Sequence, residues 1–235
     1  MATTQTDQVF DFLRAEILSC RLAPSAKIRI NEVAARYAVS LGAAREALSR
    51  LAAAGLVVAE AQKGFTVAPV SRKDLIDLTR TRIAVEKLCL QAAIANATIE
   101  WESALVAACH RLQRISETEL DDPSRLNEGW ASAHQAFHRA LVAACDSEWL
   151  LRIRDMLFAQ SDRYRHLSVP LRRGHRDVNA EHKAILDATI AGNAEQACAL
   201  LAEHFSVTTQ ILLASTPFAE SRSGAAAKDA VAAHG

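Results

Sequence analysis

Residues 28–68 constrain the fold of this chain more than any other stretch. Val33, Ala34 and Tyr37 recur there at helical spacing, and Val39-Ser40 ends the run, with Ser40 placed to cap the next helix. In that second helix Ala44, Ala47, Leu48 and Leu51 fall at i, i+3, i+4 and i+7, a single apolar stripe. Gly55 follows as a C-terminal stop. Two short β-type runs, 56–58 and 65–67, then flank a Gln62-Lys63-Gly64 turn. Two short helices at a sharp angle followed by a hairpin form a winged helix-turn-helix, which lays its second helix in the major groove. The segment predicts binding to double-stranded DNA.

The 235 residues carry no formal net charge, which excludes a chain that is basic all over. Residues 1–72 nevertheless hold nine Lys/Arg against six Asp/Glu, a mild excess that suits a small operator contact better than a nonspecific nucleic-acid coat. The five cysteines are scattered without C-x-x-C spacing, four of them in apolar helical runs, and read as buried free thiols of a reducing cytosol. With no apolar run of transmembrane length and no signal-peptide pattern, the expectation is a soluble cytoplasmic protein with no membrane partner.

A mainly α fold is expected throughout. A first helix over about 5–19 buries Val9, Phe12, Leu13 and Ile17 on one stripe. After the wing, Ser71 and Asp74 resemble a capping box that opens a new helix. From there the sequence carries no strand signal, and six helical stretches fit, at roughly 72–96, 100–118, 124–145, 148–167, 174–191 and 194–214. Three segments follow: a DNA-binding domain over 1–70, an all-helical bundle over 71–215 for ligand, metal and dimerisation, and an Ala/Ser/Gly-rich disordered tail over 216–235.

With these residues laid out, the chain resembles the GntR family of bacterial transcription regulators, in the FadR-like branch whose C-terminal effector domain (FCD) is all helical. The N-terminal match includes Ala34-Ala35-Arg36, Val39-Ser40, Arg45-Glu46-Ala47-Leu48, Gly55-Leu56-Val57 and the wing Lys63-Gly64-Phe65. The second match runs through Arg82 and Glu86, Phe137-His138, Glu181-His182 and His204, and six effector helices resemble the shorter, VanR-like version. The resemblance implies DNA contacts from Asn31, Ser40, Leu41, Arg45, Arg50, Lys63 and Gly64. Two of these depart from the family pattern: Leu41 stands where an Arg is usual, and Asn31 where another Arg is frequent. Arg45 lies off the apolar stripe near the start of the recognition helix, where it can reach a guanine edge. Arg50 points to the other flank, toward a phosphate or plain solvent.

His134 and His138 are four apart on the face of Phe137, Leu141 and Val142. His182 shares its face with Val178, Ile185 and Leu186, and His204 with Leu200, Leu201, Val207 and Ile211. A single such histidine is ordinarily a satisfied core residue, but four facing inward from three helices suit a shared metal ion. The resemblance points the same way, since many members carry an Asp-x3-His pair and two later histidines; here His134 replaces the Asp. A carboxylate-free set favours zinc, with nickel or copper next, over manganese or magnesium. Either His134 is the fourth ligand, or it turns away and leaves positions open for an effector.

Arg82 and Glu86 fall on an apolar stripe, so Arg82 is expected to point inward and fix an anionic effector, with Glu86 beside it. Arg163, Arg165 and His166 offer a second set of groups for that anion, but fit a solvated helix end better. The resemblance thus implies a homodimeric, metal-containing repressor of a metabolic operon that reads a pseudo-palindromic operator and senses a small organic acid. Two alternatives compete. His-x3-His suggests a metal-dependent hydrolase, but the position of the metalloprotease glutamate holds Gln135, which cannot act as a base. A degenerate family member that has lost DNA specificity is the other.

Overall fold

In the computed structural model, residues 4–60, 64–171 and 176–215 are described. Helix α1 (Gln5–Leu18) leads through strand β1 (Lys27–Ile28) to α2 (Ile30–Arg36) and α3 (Leu41–Ala53), and strands β2 (Val57–Glu60) and β3 (Gly64–Val67) close the unit. The sheet is antiparallel in the order β1-β3-β2, with Ile28 opposite Phe65 and Val57 opposite Val67. Six α-helices follow among the described residues: α4 (Arg72–Ala95), α5 (Ile99–Gln113), α6 (Glu128–Leu141), α7 (Glu148–Ser168), α8 (Val178–Ile190) and α9 (Ala194–Leu213), with a 3₁₀ turn (Val169–Leu171) after α7. Among the described residues no helix is long and apolar enough to cross a membrane.

Helix starts are set by capping side chains. Thr4, Ser40, Ser71, Thr98, Asn127, Ser147, Asp177 and Asn193 each accept a hydrogen bond from a backbone N–H of the first turn. Each such cap stabilises its helix by about 1 kcal/mol. After α3, Gly55 adopts φ of 71°, which an L side chain rarely does, and turns the chain into β2.

One core joins Val9, Leu13 and Ile17 of α1 to Ala47, Leu48 and Leu51 of α3 and to Val57, Phe65 and Val67 of the wing. A second core is built from Leu90 and Ala93 of α4, Leu105 and Leu112 of α5, Trp130 and Phe137 of α6, Ile185 of α8 and Leu201 of α9. Helix α7 bridges the two units. Its Gln160 amide donates to the Ala54 carbonyl (2.7 Å), its Arg163 guanidinium donates to the Ala68 carbonyl, and its Arg163 carbonyl accepts from the Cys20 thiol (3.5 Å).

Several expectations differ from the structure. Phe12 is 58% exposed rather than buried, stacked on Tyr37 at 5.7 Å, because Val9, Leu13, Ile17 and Leu18 take the buried face of α1. Strand β1 was not expected; two residues carry no periodicity. The helix expected at 100–118 stops at Gln113 and the next begins only at Glu128, where Asn127 caps it. Only half of the Ser71/Asp74 capping box forms: Ser71 caps Asp74, but the Asp74 carboxylate accepts from the Tyr164 hydroxyl (2.5 Å) instead of closing the box. The Gln62-Lys63 part of the turn and the tail over 216–235 lie outside the described residues.

Between α4 and α7 lies a buried charge cluster. Glu86 accepts from Arg82 Nε at 3.3 Å and from Arg154 Nε at 3.2 Å, with both Glu86 and Arg154 almost wholly enclosed. Phe158 lies under both guanidinium groups, at 4.8 and 4.9 Å. Removing the carboxylate charge takes the counter-ion from buried Arg82 and leaves Arg154 with only the part-exposed Asp155, at 2.9 Å. Glu86→Gln is therefore expected to cost about 3 kcal/mol or more in denaturant unfolding, against a negligible change for Arg80→Ala on the exposed face; equal midpoints for the two variants would contradict this.

Candidate functional site

Helix α3, expected from the sequence to contact DNA, is anchored through Ala44, Ala47, Leu48 and Leu51, all fully buried, so its opposite face is left free. Ser40 is occupied structurally: its hydroxyl accepts from the Ala43 N–H (3.1 Å) and caps α3. Leu41, the first residue of the helix, is exposed. Arg45, one turn later, is exposed, and among the described residues its side chain has no hydrogen-bond or ion-pair partner. Arg50 differs, since Asp7 holds it at 2.7 Å and its guanidinium lies 4.6 Å over the Phe10 ring. Asn31 is exposed in the first turn of α2. Gly64 opens β3 with φ of 90° and nothing within 4 Å of where a Cβ would sit, so the backbone at the wing can be approached closely. Lys63 lies outside the described residues.

The second candidate site lies where α6, α8 and α9 face one another. His134, His138, His182 and His204 are all buried, and one ring nitrogen from each lies within 4.8 Å of the others. Ring centroids sit 4.4 Å apart for His134–His138, 4.7 Å for His182–His204 and 5.0 Å for His134–His182. Desolvation pushes His134, His138 and His182 well below the ordinary imidazole pKa, and neighbouring rings and guanidinium groups push the same way, so these rings are neutral at physiological pH. His204 is also lowered by burial, against a hydrogen bond with Glu181.

Polar partners are unevenly shared among the four rings. His204 Nδ1 donates to Glu181 Oε2 at 2.7 Å, which leaves its Nε2 as the ring's lone pair. Burial raises the Glu181 carboxyl, but hydrogen bonds from His204 and Arg176 outweigh it and bring the pKa down to about 2. His134 Nδ1 accepts from Arg165 Nη1 at 2.5 Å. A guanidinium has no acceptor atom, so the proton of neutral His134 sits on Nε2, 3.1 Å from His138 Nε2. His138 Nδ1 and both nitrogens of His182 are buried without a partner among the described residues. A divalent transition ion fits that donor set: neutral imidazoles with free lone pairs, one of them oriented by a carboxylate.

Beside the histidines is a cavity of about 50 Å³ lined by Arg82, Trp130, His134, Arg165, His204 and Thr209. At roughly 10–15 Å³ per water it holds only about four, so it suits a ligand of a few heavy atoms. Arg82 does point inward. Its Nη1 donates to Ser161 Oγ at 2.7 Å, its guanidinium stacks 3.8 Å over Phe205, and its Nη2 is buried without a partner among the described residues. Burial lowers its pKa to about 10 against the pull of Glu86, which leaves it charged at neutral pH.

The structure thus brings Arg82 onto the cavity beside His134 and His204, whereas Glu86 does not line it and instead accepts from Arg82 and Arg154. It also corrects the reading of 163–166 as a solvated helix end. Arg163 is buried against the Ala68 carbonyl, Arg165 is held between Asp162 and His134, and His166 is half-buried with a lowered pKa from desolvation. Sequence alone assigns no role to Glu181 and does not place Arg165 against His134. The first is marked only by adjacency to His182, and the second lies a whole helix away from its imidazole partner.

Comparison with known proteins gives the family of both units. Residues 5–67 match bacterial regulatory proteins of the gntR family, and residues 77–207 match the FCD domain. An uncharacterized HTH-type transcriptional regulator, BphR of Paraburkholderia xenovorans (strain LB400), is 39% identical over 206 residues, covering 88% of this chain and 84% of that protein. The HTH-type transcriptional repressor GlaR of Escherichia coli (strain K12) is 33% identical over 202 residues, covering 83% of this chain and 90% of the repressor. In fold, E. coli McbR/YncC superposes with a TM-score of 0.74 over 90% of this chain and 98% of its own, at 22% identity. These relatives and domains are those of DNA-binding regulators, not enzymes. The chain belongs to the GntR family of bacterial transcription regulators, with an FCD domain as its effector unit.

Proposed function

We propose that this regulator is a homodimeric, metal-containing repressor, reading DNA through residues 1–70 and sensing a small carboxylate through residues 71–215. The observation that carries the metal reading is His182, fully buried with neither ring nitrogen partnered among the described residues. An unpaired buried polar atom costs about 1–3 kcal/mol, and a bound ion would offset that cost at one nitrogen of His182, the other ring nitrogen keeping its proton. His138, His182 and His204 are the proposed ligands. His134, with its Nδ1 held by Arg165 and its proton on Nε2, is read as the donor beside the site rather than the fourth ligand. The all-imidazole set suits zinc, with nickel second. The ion supplies a Lewis-acidic position for an effector carboxylate, and the free Arg82 Nη2 supplies a charge-assisted donor to it.

Helix α7 supports a route to the DNA-binding unit. It carries Ser161, Asp162 and Arg165 on the cavity and Gln160 and Arg163 on the carbonyls of residues 54 and 68. An effector that binds better to one placement of α7 shifts the population of the other unit's positions. Repression agrees with the GlaR relative, which is named a repressor. The dimer reading is supported by an apolar stripe on α7, Trp149, Ile153 and Met156 at i, i+4 and i+7, with Trp149 71% and Met156 57% exposed. One helix-turn-helix reads few base pairs, and two-fold symmetry doubles the site. Met156→Glu is expected to sediment as a monomer at micromolar concentration where the parent is a dimer; unchanged sedimentation removes this face from the interface.

The metal reading is tested by zinc titration of the metal-stripped full chain. The parent is expected to bind one ion per chain, His182→Ala about 100-fold more weakly or not at all, while both bind a duplex of the protein's own promoter region equally well without metal. Zinc affinity unchanged by His182→Ala contradicts the assignment. Loss of DNA binding by the parent itself favours the degenerate-member reading, against which the free, exposed Arg45 stands.

A further inference from the structure

The DNA-reading face holds one side chain that ordinary solvent exposure does not account for. Leu41 is 56% exposed, yet it occupies the first position of α3, the end of a recognition helix that meets base edges. The next residue, Gly42, adds no side chain, and a Cβ built there would meet only the Ser40 hydroxyl, at 3.8 Å, so the surface next to the leucine is low. Arg45 stands one turn further along, exposed and without a partner among the described residues. Residues 41 and 45 are thus neighbours on the free face, one an isobutyl group and the other an unpaired guanidinium.

Base chemistry decides what each can read. Guanine and adenine present acceptors or donors in the major groove, and a leucine pressed on them leaves those atoms desolvated and unpaired. Thymine alone offers a methyl group there. We infer that Leu41 is a specificity-determining residue that packs on the 5-methyl group of a thymine in each operator half-site, next to the base edge taken by Arg45. Leucine here exchanges hydrogen-bonded readout for apolar readout at one base position, so the operator carries thymine there.

The test uses the full-length protein and duplexes enriched from randomised DNA, from which the preferred half-site is read. Each thymine of that half-site is then replaced singly by deoxyuridine, which removes only the methyl group. One position is expected to lose about fourfold in affinity on this change, the worth of one buried methyl. Leu41→Ala is expected to bind the thymine and uracil duplexes equally, whereas Arg45→Ala binds the enriched site less tightly but keeps the uracil penalty. Enrichment repeated with Leu41→Arg should move that position from thymine to guanine. The inference is overturned if uracil is tolerated at every position, if Leu41→Ala keeps the full uracil penalty, or if no sequence is enriched.

Discussion

Imidazole nitrogens taken out of water must find partners, and the effector unit is arranged around four rings that share only one hydrogen bond, His134 Nε2 to His138 Nε2 at 3.1 Å, among the described residues. His134 and His204 reach outward to Arg165 and Glu181, but His138 Nδ1 and both nitrogens of His182 reach nothing among the described residues. The surroundings keep the rings neutral: desolvation lowers their pKa values, and the nearby guanidinium groups reinforce it. Neutral rings with free lone pairs are the protonation state a metal needs, so the packing that makes the site costly when empty also readies it for an ion.

Around this centre the charges come in compensated sets. Glu86 sits between Arg82 and Arg154, Glu181 between Arg176 and His204, and Asp162 beside Arg165. What remains uncompensated is directional: single donor atoms, Arg82 Nη2 and Arg165 Nε, buried without partners among the described residues on groups that line the cavity. Such donors favour a small anion. The same α7 that carries Arg165 also binds the Ala54 and Ala68 carbonyls, so cavity and DNA-binding unit share one rigid element rather than a flexible joint.

The two-unit order was legible because local signals set it. Capping residues at Ser40, Ser71, Ser147 and Asn193 stand where the sequence breaks its periodicity, and the α3 stripe needs only i, i+3 and i+4 spacing. The four histidines were legible for the same reason, as each lies on an apolar face. Phe12 was misread because its helix has more apolar positions than one face can bury, and only packing against α3 shows which are left over. Arg163 and Arg165 were misread because charged residues at a helix end are usually solvated. Their burial comes from Ala68 and His134, far away in sequence. The role of His134 likewise depends on which proton it keeps, and that is set by Arg165.

The ion proposed for these imidazoles is sought by elemental analysis of the full chain isolated without an affinity tag or chelator. Close to one equivalent of zinc or nickel per chain is expected. Less than about a tenth of an equivalent of any transition metal, with no rise in melting temperature when zinc or nickel is added back, would contradict it.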